Sequence, residues 1–131
     1  MKGHKDFIVW QKAMDLVVEV YNITKFLPKF ETYGLSDQMR RAAVSIPSNI
    51  AEGQGRNSTR DYIHFLTISR GSCAELDTQL QICIRLKYIN ESDFKNVFNL
   101  ADEVGKMLSA MINKLDNASK DEKVQGNGLK N

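Results

Sequence analysis

Residues 90–115 read NESDFKNVFNLADEVGKMLSAMINKL, and this stretch decides the fold class. Its apolar side chains recur every three or four positions, which is the period of one face of an α-helix. Asn90 can cap such a helix, because an Asn side chain accepts hydrogen bonds from the first backbone N–H groups. The stretch therefore predicts a helix over residues 91–117 with an apolar face formed by Phe94, Val97, Ala101, Val104, Leu108, Met111 and Leu115.

Three further segments with helical periodicity precede this one. The first spans residues 7–26 and ends before Pro28, and the second begins with Ser36 as N-cap and ends at Gly53-Gln54-Gly55. The third runs to about residue 87 from Ser58, where Ser58-Thr59-Arg60-Asp61 resembles a capping box with Asp in place of the usual Glu. Pro47 lies inside the second helix, where the missing N–H and the ring should kink the helix or split it in two. The predicted core faces are Met39, Ala42, Ala43, Ile46 and Ile50 in the second helix and Tyr62, Phe65, Ser69, Cys73, Leu76, Leu80 and Cys83 in the third.

The short link of residues 88–90 forces the last helix to return antiparallel to the third. We therefore predict an all-α protein: an antiparallel up-and-down four-helix bundle over residues 1–117. Residues 118–131 are polar and almost without apolar side chains, so they are expected to form a disordered tail.

The first helix has more apolar residues than one neighbouring groove can cover. Such an excess suggests a second interface, either inside the bundle or between subunits. Trp10 and Tyr21 are the predicted contributors to the bundle core or to this subunit interface, and we expect a homo-oligomer.

Composition bounds the class without naming a function. The chain has 131 residues and a formal net charge of +2, which is too small to indicate a nucleic-acid or membrane partner by bulk electrostatics. Charged residues interrupt the most apolar segment, residues 7–27, so neither a membrane span nor a signal peptide is expected. Cys73 and Cys83 give no disulfide framework and fit a reducing cytosol, so a cytoplasmic location is predicted.

The sequence contains no convincing pattern for a metal site or for a catalytic site. The candidate ligands His4, His64, Cys73 and Cys83 lack the spacing that places two ligands on one helical face. His64 with Asp61 resembles an oriented base beside Ser69 or Ser72, yet residues along one helix cannot converge on an external substrate atom. We therefore expect no enzyme activity, no metal site and no cofactor.

The arginines carry the one charge pattern that remains. All six lie between residues 40 and 85, an interval without lysine. Guanidinium groups suit phosphate or carboxylate, so these residues either contact a nucleic-acid backbone or form buried pairs between helices with Glu52, Asp61, Glu75 and Asp77. Arg56 and Arg60 flank a glycine turn and a helix N-terminus, which favours a polyanion. For Arg40 and Arg41 both interpretations stay open.

Three segments of the chain resemble a known family. They are residues 6–14 (DFIVWQKAM), residues 33–53 (YGLSDQMRRAAVSIPSNIAEG) and residues 71–80 with Gly71-Ser72 and Glu75-Leu-Asp-Thr-Gln79-Leu. The sequence is similar to the bacterial four-helix bundle proteins encoded within intervening sequences of the large-subunit rRNA gene, and the similarity covers about residues 6–115. It is similar also to the accessory variability protein of diversity-generating retroelements, which binds a reverse transcriptase and nucleic acid.

The resemblance implies a bundle that assembles into a ring or barrel of five subunits and carries no catalytic residue. Arg40 and Arg41 lie inside the shared motif, and Arg56 and Arg60 follow it. The retroelement proteins are strongly basic, whereas this chain is nearly neutral. We predict a non-catalytic oligomeric accessory or scaffold protein associated with structured RNA or a ribonucleoprotein. DNA is the other nucleic acid that it could bind. The alternative, which the near-neutral charge favours, is a protein–protein interaction module with no nucleic-acid role.

Overall fold

Four α-helices make up the structure, a computed structural model that describes the backbone of residues 3–130 and the side chains of residues 6–122. They are α1 (His4–Thr24), α2 (Leu35–Gln54), α3 (Thr59–Arg85) and α4 (Glu91–Lys130), with a short 3-10 turn at Lys29–Glu31 between α1 and α2. Each helix packs against the next one along the chain, and α1 also packs against α4. No strand occurs over the backbone of residues 3–130. The predicted all-α four-helix bundle is confirmed.

The predicted apolar faces form one core. In α2 every predicted core side chain is buried, and in α3 and α4 only Phe65, Phe94 and Leu115 are half-buried. Leu16, Ile46, Leu66, Leu76 and Leu108 are among the largest side chains without any exposure. Removing this apolar area from water is the main stabilising contribution to such a fold.

Two of the three predicted helix caps are confirmed. The Ser58 side chain accepts a hydrogen bond from the Asp61 N–H (3.1 Å), and Asn90 Oδ1 accepts one from the Asp93 N–H (2.7 Å). The prediction for α2 was wrong, because this helix begins at Leu35 and Ser36 is buried within it. The carboxylate of Glu31 accepts a weak hydrogen bond from the Leu35 N–H at 3.4 Å instead, so a side chain from the preceding 3-10 turn takes the role expected of Ser36.

Helix α2 runs without a break through Pro47, so the proline does not split it. The Ser48 hydroxyl donates to the Val44 carbonyl at 2.7 Å and Asn49 Nδ2 donates to the Ser45 carbonyl at 2.8 Å. These side chains add hydrogen bonds in the turns around the proline, where the ladder lacks one donor. The predicted kink stays a prediction.

Helix α4 continues to Lys130, so its predicted end at residue 117 was too early. Four of the five side chains of residues 118–122 are exposed, and the side chains beyond residue 122 lie outside the described part of the chain. Residues 118–122 therefore extend α4 as a mostly exposed segment. The separate disordered tail over residues 118–131 stays a prediction.

The two ends of the bundle differ in the connections that they hold. The turn end holds the α2–α3 connection (residues 55–58), and the loop end holds the α1–α2 connection (residues 25–34) with the α3–α4 connection (residues 86–90). Buried Leu27 and Ile89 close the core at the loop end. There α3 ends at Arg85 and is followed by Lys87 with a φ of 62°, which lets the Lys87 and Tyr88 N–H groups turn back onto the Ile84 and Cys83 carbonyls.

None of the helices, over the residues described, has a segment long and apolar enough to cross a bilayer.

Candidate nucleic-acid interface

Gly53 brings α2 and α3 into close contact at the turn end. A Cβ atom at this position would lie 2.9 Å from Tyr62 Cδ1 and 3.0 Å from Phe65 Cβ, so only glycine fits without a shift of α3. Burial, assisted by Asp6, raises the pKa of the Tyr62 hydroxyl above its ordinary value. Gly55 then ends α2 as predicted, and its N–H returns to the Ala51 and Glu52 carbonyls.

Arg56 follows this turn and is held by two neighbours. Its guanidinium group forms an ion pair with Glu52, one turn earlier in α2. The guanidinium carbon also lies 4.8 Å from the centre of the Phe65 ring, within the range of a cation–π interaction. Both contacts fix the side chain at the surface, and the ion pair offsets part of its charge.

Arg60 lies in the first turn of α3 and is exposed. Among the described side chains it forms no salt bridge, in contrast to Arg56. The Asp61 N–H of this turn is capped by the Ser58 side chain, and the helix dipole adds a partial positive charge at the N-terminus of α3. Arg60 is therefore the guanidinium group at the turn end that can reach a phosphate without breaking an ion pair.

Arg40 is an internal link between α1 and α2. Its Nε donates a hydrogen bond to Thr24 Oγ1 at 2.9 Å, and its guanidinium carbon lies 4.6 Å from the centre of the Tyr21 ring. Thr24 is buried and donates in turn to the Val20 carbonyl at 2.8 Å. A phosphate contact at Arg40 would have to replace these bonds, so the structure places this residue with the scaffold.

Arg41 is on the surface, where Nε lies 2.9 Å from Asp37 Oδ2 in the same helix. The Asp37 carboxylate raises the pKa of Arg41, first by the hydrogen bond and then by its charge. Ion pairs this exposed contribute little to stability. Buried pairs between helices were one predicted alternative for the arginines, but Arg41 and Arg56 both pair with residues of α2 and remain exposed.

The hydroxyl groups considered for catalysis join α2 to α3. Ser69 is buried and donates to the Ile46 carbonyl at 2.9 Å, and the Ser72 and Ser45 hydroxyl oxygens lie 2.9 Å apart. His64 is exposed, with its ring edge-on to Phe65 at 5.4 Å between centres. Among the described residues no three His, Cys, Asp or Glu side chains cluster closely enough to hold a metal ion.

The two cysteines are free thiols in the core. Burial raises the pKa of Cys73 to about 12, and burial together with the charge of Glu31 raises that of Cys83 to about 11. Cys83 also donates to Met39 Sδ at 3.4 Å. Both residues act as small apolar side chains, since a nucleophilic cysteine needs a lowered pKa.

The surplus apolar residues of α1 line a groove between α1 and α2. Trp10 lines this groove and is half-buried. Tyr21 is 40% exposed and contacts Arg40 in a neighbouring depression between the same two helices. Met14 and Val44, on opposite walls, are 40% and 41% exposed. We call this surface the α1–α2 groove; it is lined by Trp10, Met14, Val17, Val44, Pro47 and Ala51. Helix α1 packs against both α2 and α4, so the bundle itself covers part of the apolar surface of α1, while this groove stays open to solvent within one chain.

Two features of the surface were not predicted from the sequence. Phe65, predicted as core, is half-buried and supports Arg56 at the turn end. At the loop end Phe26, Phe30 and Tyr33 project into solvent although they interrupt a polar connection. The repeated Lys-Phe pairs at residues 25–26 and 29–30 were a signal that could have drawn attention to this connection.

Comparisons with known proteins agree with this architecture. A family model described as the 23S rRNA-intervening sequence protein matches residues 5–110. A crystal structure from Bacteroides thetaiotaomicron, described as a protein with unknown function from the S23 ribosomal protein family, superposes with a TM-score of 0.78. The two sequences are 30% identical, and the match covers 84% of this chain and 99% of that one. Curated proteins gave no match.

Proposed function

Because this chain belongs to the 23S rRNA-intervening sequence protein family, we propose that it is a non-catalytic, homo-oligomeric bundle that associates with structured RNA or a ribonucleoprotein. The exposed Arg56–Arg60 pair at the turn end supports this role most directly. The two guanidinium groups flank a helix N-terminus, and one of them makes no ion pair among the residues described. Phosphate oxygens are suitable ligands for such a site because guanidinium groups donate two parallel hydrogen bonds to them.

Oligomerisation strengthens weak contacts of this kind. Two arginines bind few phosphates, and Glu52 and Asp61 at the same turn oppose them. Several copies joined in one assembly bind the same RNA with a high effective local concentration, so the affinities combine. We propose a ring, most simply of five subunits as the family resemblance implies, with the α1–α2 groove as the subunit contact. The free thiols of Cys73 and Cys83 suit a cytoplasmic location.

Removing the arginine pair tests RNA association. We expect R56A/R60A to bind a fluorescein-labelled structured rRNA fragment about tenfold more weakly at ~50 mM salt, with a shallower loss of affinity up to ~200 mM, since fewer counterions are released. Fluorescence anisotropy of the full-length protein measures both quantities. Duplex DNA of matched length reports whether RNA is preferred.

The control is K106A/K114A, which removes the same charge from α4. It matches the arginine pair because Lys106 is in an i,i+4 ion pair with Asp102, as Arg56 is with Glu52. The control should bind RNA as the unmodified protein does. Equal losses in both variants would point to bulk charge, and no binding by the unmodified protein at low salt would end the RNA proposal.

Charged residues in the α1–α2 groove test the subunit contact. We expect M14E/V44E to sediment as a smaller species than the unmodified protein, because two carboxylates would be desolvated in the interface. I68E/I82E on α3 is the control, since Ile68 and Ile82 are 38% and 40% exposed, much like the groove residues. Circular dichroism confirms that both variants fold. An unmodified protein that sediments as a monomer would refute the oligomer.

The open apolar groove favours one second candidate, a protein–protein interaction module without a nucleic-acid role. The ion pairs of Arg41 and Arg56 with acidic neighbours agree with it as well. In that case R56A/R60A changes neither RNA affinity nor assembly, and the α1–α2 groove is the surface that binds the protein partner.

A further inference from the structure

The most exposed large apolar side chains of the described chain lie together at the loop end. Tyr33 is 95% exposed, Phe30 77% and Phe26 71%, whereas the next value is 57% at Val18. All three aromatic residues belong to one connection of ten residues, and Leu86 of the α3–α4 connection is 52% exposed at the same end. Large aromatic rings this exposed are not explained by the packing of the bundle, which indicates a binding surface.

The connection that carries the rings is held in place. Pro28 begins the 3-10 turn, and the Glu31 carboxylate accepts hydrogen bonds from the Leu35 N–H (3.4 Å) and the Tyr88 hydroxyl (3.0 Å). The Phe30 ring lies edge-on to Tyr88, with 6.5 Å between the ring centres. These contacts join the α1–α2 connection to the α3–α4 connection. The rings are therefore presented by a preorganised frame, which lowers the entropic cost of binding.

Three lysines belong to the same two connections as these rings and Leu86. Lys25, Lys29 and Lys87 are exposed at the loop end. The acidic residue of the 3-10 turn, Glu31, is half-buried and directed inwards by its two hydrogen bonds. Glu91 and Asp93 lie in the first turn of α4, where they interact with the helix dipole. The α1–α2 connection itself thus presents aromatic faces and ammonium groups to solvent.

We infer that the loop end is a platform for an unpaired RNA strand, whose bases stack on Phe26, Phe30 and Tyr33 while Lys25, Lys29 and Lys87 contact its phosphates. This inference rests on the proposed RNA association and adds a second contact at the end of the bundle opposite Arg56 and Arg60. Exposed rings beside cationic side chains bind single strands in this way, because every unpaired base offers a face for stacking. Paired bases in a duplex do not offer their faces, so duplex RNA should not use the platform.

The variant F26L/Y33L tests the platform, because leucine keeps the apolar character and removes the ring. Neither Phe26 nor Tyr33 has a ring contact among the described residues, so the fold should be unaffected. We expect at least about tenfold weaker binding of a labelled unpaired RNA of about eight nucleotides, since each stacked base contributes substantially to affinity. Binding of duplex RNA should not change. The control F7L replaces Phe7, an aromatic residue of α1 that is 46% exposed, and should bind as the unmodified protein does.

Three results would overturn the platform. F26L/Y33L could bind the unpaired strand as tightly as F7L does. It could change the sedimentation of the protein, which would make the rings a contact with a second copy. The unmodified protein could bind vesicles with anionic lipid, but not unpaired RNA, through the same rings, which would make the surface a membrane contact.

The same set of proteins separates this inference from the proposed function. If R56A/R60A weakens binding of the structured RNA while F26L/Y33L leaves binding of the unpaired strand unchanged, the platform alone fails. If the unmodified protein binds neither RNA, both fail.

Discussion

Replacing Leu76 by alanine should lower the free energy of unfolding by about 3 kcal/mol, the largest change that we expect from one substitution. Leu76 has no exposed surface and lies on α3, the helix that packs against both α2 and α4. The change removes buried apolar area and leaves a cavity that the neighbouring helices can only partly close. For a chain of this length, the melting temperature should fall by about 10 °C.

Thermal unfolding followed by circular dichroism measures this loss. I82A is the matched control, because Ile82 is on the same helix and 40% exposed, and it should shift the transition much less. A melting curve for L76A that overlays that of I82A would contradict the packing of α3 described above.

The second large effect is expected at Gly53, where alanine should destabilise the bundle by about 2 kcal/mol. Alanine inside a helix normally stabilises it by up to about 1 kcal/mol relative to glycine. Here the added Cβ would meet Tyr62 Cδ1 at 2.9 Å and Phe65 Cβ at 3.0 Å, and the strain of overpacking outweighs that gain. The shift also displaces Phe65 and with it the support of Arg56.

Gly71 provides the control of opposite sign. It lies in the interior of α3, and a Cβ there would meet nothing within 4 Å. G71A should therefore raise the melting temperature while G53A lowers it, as measured by the same thermal scans. Stabilisation by both alanines would show that α2 and α3 are not in close contact at Gly53.

The fold could be predicted because its apolar pattern is local and regular. The faces of α2, α3 and α4 repeat every three or four residues, and Ser58 and Asn90 stand directly before the helices that they cap. The cap of α2 was missed because it comes from Glu31, which only the 3-10 turn brings to Leu35. Periodicity also could not find the end of α4, because four of the five side chains of residues 118–122 are exposed and do not continue the apolar face.

For the candidate site, the sequence predicted which residues could bind an anion but not which contacts they make in the fold. Arginine at positions 40, 41, 56 and 60 indicated anion binding, but nothing in the sequence says which guanidinium group the fold already uses. Arg40 is held by Thr24 and Tyr21, which are contacts between helices and depend on how α1 and α2 pack. The exposed rings of the loop end were missed for a related reason, because aromatic residues in a sequence are normally assigned to a core.

The length of α3 sets the distance between the two ends of the bundle. Its 27 residues, at about 1.5 Å each, separate the turn end from the loop end by about 40 Å. One strand of B-form DNA advances about 3.4 Å per nucleotide, so at that stacked spacing about 12 nucleotides correspond to the distance between the two ends. If both proposed contacts hold, a strand that binds the two ends of one subunit has to span about 40 Å, and a shorter strand reaches only one of them. The length of α3 thus sets the spacing between the two proposed contacts.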